Sequence, residues 1–199
     1  MKLPTSIENI LNENIVENAR LELKKNWNPE PILHTICAFA NDIDNWGGGY
    51  ILIGVEEENG RPKIPITGLA LSEIDKIQKE LLSKCKLIQP SYTPIVDVAQ
   101  YKGKNILVVW CFGGQTRPYK CPTTLDKDFS KGYSYYIRKM SSTVKATETE
   151  QKELYDIART IPFDDRMNHE AEIQDLKLPL IQNYLYEIKS DLLKESENM

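Results

Sequence analysis

The sequence predicts an α+β domain in which helices flank a mixed β-sheet, followed by a C-terminal helical extension. Three observations carry that prediction. Tyr50-Ile-Leu-Ile-Gly-Val55 is a continuous apolar run, the pattern of a strand covered on both faces. Stretches with helical spacing stand on either side of it, near residues 29–41 and 72–82. Several strand-like runs then follow one another before the chain turns helical again, an order that argues α+β rather than a strict βαβ alternation.

The elements follow in order. A short helix from Pro4 to about Leu11 places Ile7, Ile10 and Leu11 on one side. Ala19 to Lys24 alternates with a period of two: Leu21 and Leu23 face one way, Arg20, Glu22 and Lys24 the other, as in a half-buried strand. Asn28-Pro29-Glu30-Pro31 reads as a helix start, with Asn28 as cap and proline in the first turn. That helix runs to about Asn41 and buries Ile32, Ile36, Phe39 and Ala40. Gly47-Gly48-Gly49 is a turn into the apolar strand, because it lacks the Lys-Ser/Thr and the following helix of a phosphate-binding loop. Glu56 to Gly60 is an acidic turn.

A second helix spans Ser72 to Leu82. Pro94–Gln100 and Asn105–Phe112 form a hairpin around Lys102-Gly103-Lys104, with the second strand central. Residues 113–120 are a loop, and Tyr133–Arg138 is another strand. Thr147 and Glu150 have capping-box spacing and open a helix to about Ala158. Pro179–Leu193 is amphipathic, with Ile181, Tyr184, Leu185, Ile188 and Leu192 on one stripe, which suits a homodimer contact.

Composition narrows the function. The chain has 199 residues and a net charge of −4. Residues 161–199 hold nine Asp/Glu and four Lys/Arg, so the first 160 residues are near neutral. The organisation expected is a domain over 1–160 and an acidic helical linker or dimerisation segment over 161–199. Any phosphate-binding surface must then be a local patch. Cys37, Cys85, Cys111 and Cys121 form no CxxC pair, which argues against a zinc site. Two histidines, His34 and His169, leave no Ser-His-Asp or Cys-His arrangement. His34 reads as a surface or hydrogen-bonded histidine, and Asn41 as a tie between the helix end and its neighbours. Acidic residues in the first twenty positions and the absence of a long apolar run predict a cytoplasmic protein with no membrane contact.

Three segments carry a resemblance: Glu17-Asn-Ala-Arg-Leu-Glu22-Leu-Lys24; Ile36-Cys-Ala-Phe-Ala-Asn41 with Gly47-Gly-Gly-Tyr-Ile-Leu-Ile-Gly-Val-Glu56-Glu57; and Gly132-Tyr-Ser-Tyr-Tyr-Ile-Arg138 with Ser141-Ser-Thr143. In this order they resemble the Schlafen/AlbA-type DNA-binding domain over roughly residues 10–160. Such domains often head longer bacterial transcriptional regulators, so the resemblance implies further C-terminal domains and places the acidic end between domains. One departure stands out. Asp42-Ile-Asp-Asn-Trp46 intervenes between Asn41 and the glycines, where the family has little or nothing.

The resemblance gives two constellations a function. Lys24, Arg117, Tyr119, Lys120, Tyr136, Arg138, Lys139 and Lys145 supply cations for phosphate and flat rings for bases of DNA or RNA. Tyr136 and Arg138 share a strand face by period two. The bland reading is a charged strand edge. Binding of this kind requires no cofactor. Separately, eukaryotic Schlafen relatives cut structured RNA with three carboxylates around a divalent metal. Glu17 and Glu22 match the Glu-x4-Glu spacing, and Glu57, with Glu56 or Glu58 as alternatives, stands where the family has Asp. The resemblance thus implies Mg²⁺ or Mn²⁺ at Glu17, Glu22 and Glu57 if the protein is an endoribonuclease, with Lys24 steadying charge. The bland reading is a solvated strand face and a polar turn. A protein-interaction scaffold is the third expectation.

Overall fold

The computed structural model describes residues 7–12, 16–127, 129–160 and 178–187. By internal contacts the chain divides into Met1–Pro162 and Phe163–Met199. The first unit holds α1 (Ile7–Asn12), β1 (Leu21–Lys24), α2 (Pro29–Asn41), β2 (Gly49–Ile53), β3 (Glu57–Glu58), β4 (Arg61–Pro62), α3 (Leu71–Cys85), β5 (Ile95–Tyr101), β6 (Lys104–Cys111), β7 (Lys120–Pro122), β8 (Tyr133–Lys139), β9 (Ser142–Lys145) and α4 (Glu148–Thr160). The α+β class holds, and the sheet is mixed: β1 runs parallel to β2, while β2–β6 and β6–β5 are antiparallel. Strand order is β1-β2-β6-β5, so β6 is central as its apolar sequence requires.

Four short elements escaped the sequence reading. Glu57–Glu58 and Arg61–Pro62 pair as a hairpin where an acidic turn was expected. Lys120–Pro122 and Ser142–Lys145 flank β8 to make a second, antiparallel sheet, β7-β8-β9. Strands of two to four residues are too short to show a period. Asn28 is extended at the start of α2, but its side chain makes no capping bond; its carbonyl accepts from the Ile32 amide at 3.2 Å. The capping box at α4 is formed, with the Glu150 carboxylate accepting from the Thr147 amide at 2.8 Å and the Glu150 amide donating to Thr147 Oγ1 at 3.4 Å.

Helix α2 organises everything near the site. Ile32, Leu33, Ile36 and Phe39 join Ile51, Ile53, Leu107 and Val109 of the four-stranded sheet in one core with Ile74, Ile77 and Leu81 of α3. A second stripe, three to four residues apart, serves β7 and β8. His34 stacks on Tyr136 with ring centroids 4.0 Å apart. Asn41 donates to the Tyr119 and Tyr136 carbonyls at 2.9 and 2.8 Å and accepts from the Tyr119 amide at 2.6 Å. A helix packed between two sheets must be buried all round, and Ile32 through Asn41 are buried except half-buried His34. Truncating Phe39 to Ala should cost about 3–5 kcal/mol. The opposite face of the large sheet is covered by Ile7, Ile10 and Leu11 of α1, packed on Leu21, Leu23, Tyr50 and Leu52.

The glycine turn has a steric cause. Gly48 has φ +80°, and a Cβ there would press on the Cys111 carbonyl; one on Gly49 would run into the Phe39 ring. The close approach of β2 to both neighbours therefore needs these glycines. Among the described residues no helix is long and apolar enough to cross a membrane. In the second unit, α5 (Leu178–Glu187) has Ile181, Tyr184 and Tyr186 exposed; Ile188 and Leu192 of the expected stripe lie outside the described residues.

Candidate functional site

Register decides the fate of the acidic strand. Leu21 and Leu23 align with Tyr50 and Leu52, whereas Glu22 and Lys24 align with Ile51 and Ile53 on the face that α2 covers. Glu22 is consequently buried, and the expectation of a solvated face at this position is corrected. A carboxylate removed from water needs partners. Arg138 of β8 supplies one: its Nη1 donates to Glu22 Oε2 at 2.6 Å and to Thr143 Oγ1 at 3.0 Å, and its Nη2 donates to the Asn18 carbonyl at 3.0 Å. Lys24 Nζ pairs with the other Glu22 oxygen. The guanidinium also lies 5.2 Å from the Phe39 ring centroid, a cation–π distance.

Glu17 stands at the mouth of this cluster. Its carboxylate accepts from the Leu23 amide at 2.8 Å. Partial burial raises its pKa; the Leu23 hydrogen bond opposes this and the Glu22 charge adds to it. Glu57 is elsewhere engaged: it is exposed, and its carboxylate accepts from the Gly60 amide within its own hairpin. Glu56 pairs with Lys25 at 3.1 Å and Glu58 with Lys63 at 3.1 Å. Glu17 and Glu22 are thus brought together, and Glu57 is not added to them. Both Glu22 oxygens already face cations. Among the described residues no group of three His, Cys, Asp or Glu is placed to hold a metal ion. As arranged, these residues do not fit a three-carboxylate metal centre.

The basic and aromatic set is largely redistributed. Arg117, Tyr119, Tyr136 and Arg138 are buried, which corrects their reading as surface contacts. Tyr136 and Arg138 do share a face, but that face is turned to α2. Their neighbour Ile137 belongs to a separate cluster with Ala146 and Leu154 of α4, so β8 is covered on both sides. The Tyr119 hydroxyl meets Thr116 Oγ1 at 2.7 Å. Lys139 and Lys145 are exposed; Lys120 and Lys24 are half-buried. Lys139 pairs with Glu150, and Lys120 Nζ lies 5.9 Å from the Tyr133 ring centroid. His34 is half-buried, with Nε2 3.0 Å from the Pro122 carbonyl oxygen; burial lowers its pKa against that contact.

Arg117 has a different task. Its Nε donates to the Gly114 carbonyl at 2.7 Å and its Nη1 to the Asp42 carbonyl at 3.1 Å, with the Asp42 carboxylate 3.8 Å away. Burial lowers its pKa, opposed by the Asp42 charge. Asp42 in turn accepts from the Trp46 and Gly47 amides at 3.0 and 2.9 Å. The cation therefore braces the segment 42–47. A shallow cleft of about 10 Å³ opens beside it, lined by residues including Arg20, Phe39, Asp42, Trp46 and Arg138. Trp46 and Arg20 were missed as site residues. Trp46 has no aromatic neighbour in the sequence, and Arg20 was read only as part of the alternating polar face of β1. Burial pushes the Cys85 thiol up to about 12 and raises the Cys111 thiol well above its ordinary value, so neither offers a nucleophile.

The geometry can now be set beside known proteins. The family model described as Schlafen, AlbA_2 matches residues 17–147, from Glu17 through the last strand of the second sheet. The chain belongs to this family. A solved structure similar to the Schlafen/AlbA_2 chain is that of the DIP2311 protein from Corynebacterium diphtheriae, at 16% identity and a TM-score of 0.51 over 77% of this chain and 31% of that one. That likeness is one of fold, and the chain spans under a third of that protein's length. Another is the N-terminal domain of a RecG-related protein from Nitrosomonas europaea, named for ATP-dependent DNA helicases, at 30% identity and a TM-score of 0.45, covering 55% of this chain and 74% of that domain. No curated protein matches the chain.

Proposed function

We propose that the Schlafen/AlbA_2 domain is a nucleic-acid-binding module of a larger transcriptional regulator, holding DNA or RNA mainly through phosphate. The family match over residues 17–147 carries the reading. The structure narrows the cations that can do it. Arg117 and Arg138 are committed to internal acceptors. Exposed Lys139 and Lys145, with half-buried Lys120, remain on the small sheet. Lys139 is the exposed member of its pair with half-buried Glu150, and a pair at the surface is of little net worth, so phosphate can displace the carboxylate. Three phosphate contacts predict a logarithmic salt slope of about −2 to −3. Anisotropy of a labelled DNA duplex and a labelled RNA hairpin, titrated across salt, tests this. Lys139→Ala with Lys145→Ala should flatten the slope by about 2. A slope unchanged by the double substitution would remove these lysines from the interface.

A second reading, an endoribonuclease requiring Mg²⁺ or Mn²⁺, draws on one observation: Glu17, Glu22 and Lys24 converge around β1. The RNA hairpin incubated with Mn²⁺ or EDTA and run on a denaturing gel separates the readings. Metal-dependent fragments lost in Glu17→Gln support cleavage; intact RNA under all conditions rejects it.

A further inference from the structure

Trp46 is the feature that the phosphate reading leaves without a use. The residue is 54% exposed, whereas Trp27 and Trp110 pack against the cores. An indole left in water forgoes the burial that most large apolar side chains obtain. Nor is it on a slack loop. The buried Asp42 carboxylate accepts from the Trp46 and Gly47 amides. Asp42 and Asn45 adopt left-handed backbone conformations, with φ of 40° and 53°. Arg117 reaches the Asp42 carbonyl and Asn45 Oδ1 at 3.1 and 3.4 Å. The segment thus presents a flat ring on a braced mount.

The surroundings say what the ring would meet. Arg20 lines the same cleft and is exposed; its Nε donates to the Gly48 carbonyl at 3.0 Å, and no carboxylate partner of it occurs among the described residues. Arg138 also lines the cleft. It is 6% exposed, and its Nε–H has no acceptor among the described residues. The cleft admits about one water-sized group, so a whole ring cannot enter it, but the oxygen of a ring substituent can. A flat face, a cation with no carboxylate partner among the described residues and a buried donor at one small opening match an unpaired nucleotide: base on the indole, phosphate at Arg20, exocyclic oxygen toward Arg138.

We infer that Trp46 and Arg20 form a stacking site for one unpaired nucleobase of a single-stranded nucleic acid. The inference rests on the domain binding nucleic acid through phosphate, and it adds a preference for single strands, because a duplex hides its base faces. Asp44 also lines the cleft, and its charge opposes a phosphate there.

The test uses the full chain with labelled twelve-nucleotide oligo-dT and oligo-U and a duplex of equal length, followed by anisotropy and by quenching of tryptophan fluorescence. Trp46→Ala should weaken single-strand binding about fivefold to a hundredfold, the range of one stacked base, and leave duplex affinity nearly unchanged. Trp46→Phe should recover most of the loss. Asp44→Asn should tighten single-strand binding severalfold. Circular dichroism melts of the variants should overlay the parent, since the ring is exposed. Equal single-strand affinity in Trp46→Ala and the parent, with Lys139→Ala/Lys145→Ala still weakened, overturns the stacking site and spares the phosphate reading. No binding of any oligonucleotide by the parent chain at low salt overturns both. A changed sedimentation coefficient in Trp46→Ala with unchanged oligonucleotide binding assigns the ring to a protein contact and also overturns the inference.

Discussion

Arg138 and Lys139 are adjacent on β8 and live in opposite environments. Arg138 turns toward α2, where Glu22, Thr143 and the Asn18 carbonyl accept its hydrogen bonds. Lys139 turns outward and reaches Glu150 across the surface. The strand's alternation made the assignment, and the chemistry of the two side chains suits it. A planar guanidinium satisfies several fixed acceptors at once, while a lysine ammonium is strongly hydrated and best kept wet. The pair teaches that positive charge along a sequence is not positive charge available to a ligand. Of the cations grouped at first as one surface, the arginines brace the interior, while Lys139 and Lys145 stay exposed.

Breaking each member of the pair should show the contrast most strongly. Arg138→Met leaves Glu22 buried with only Lys24 beside it, and should cost about 3–5 kcal/mol in urea denaturation. Lys139→Ala removes an exposed cation from a surface pair and should cost under about 1 kcal/mol. Replacing both ends of the buried pair, Glu22→Leu with Arg138→Leu, should recover much of the loss, because an apolar pair of that size carries no desolvation cost. If Arg138→Met were as mild as Lys139→Ala, the buried pair would not be holding β1 against β8.

Asp42→Ala should fall between these limits. It removes the acceptor for two amides and the charge nearest Arg117, while the Gly114 carbonyl still holds the guanidinium. About 2–3 kcal/mol is expected from hydrogen bonds to a charged group. The same substitution should alter the emission of Trp46, whose amide it frees. A stable variant with unchanged fluorescence would mean that the mount does not depend on Asp42.

The two regions also differ in how much the sequence discloses. The large sheet and α2 were legible because long apolar runs and helical spacing are local signals: 50–55, 29–41 and the hairpin near 95–111 emerged close to their observed limits. The capping box at Thr147 was legible for the same reason. Glu22 and Arg138 stand 116 residues apart, and no spacing rule links them. Seen from β1 alone, Glu22 and Lys24 have the pattern of a wet face; only the docking of α2 and β8 makes that face interior. Asp42 and Arg117, 75 residues apart, were hidden likewise. An arginine next to Pro118 and Tyr119 in a glycine-rich loop has the composition of a ligand-binding loop, and only the fold shows that its donors point inward.

Glu17 and Glu150 set two surface-proximal carboxylates against each other with opposite sign, and this is the smallest effect expected. Lys139, aided by the Thr147 amide, holds the Glu150 pKa down at about 2. Its contribution to stability is present above the ordinary value of 4.5 and lost as pH falls toward 2. Glu17 is shifted the other way, chiefly by burial. The folded chain therefore binds that proton more tightly than the unfolded one, and stability falls as pH rises through the interval above 4.5. Glu17→Gln keeps an acceptor for the Leu23 amide and removes the titration. It should flatten the stability profile just above 4.5 and gain relative to the parent at pH 7, while Glu150→Gln should flatten the rise between about pH 2 and 4.5 by losing stability at pH 7 and little at pH 2. Urea midpoints across pH read both. A Glu17→Gln profile parallel to the parent's would show that the carboxylate at the mouth of the cluster is solvated in the folded protein, and the convergence of Glu17 with Glu22 would then lose its electrostatic meaning.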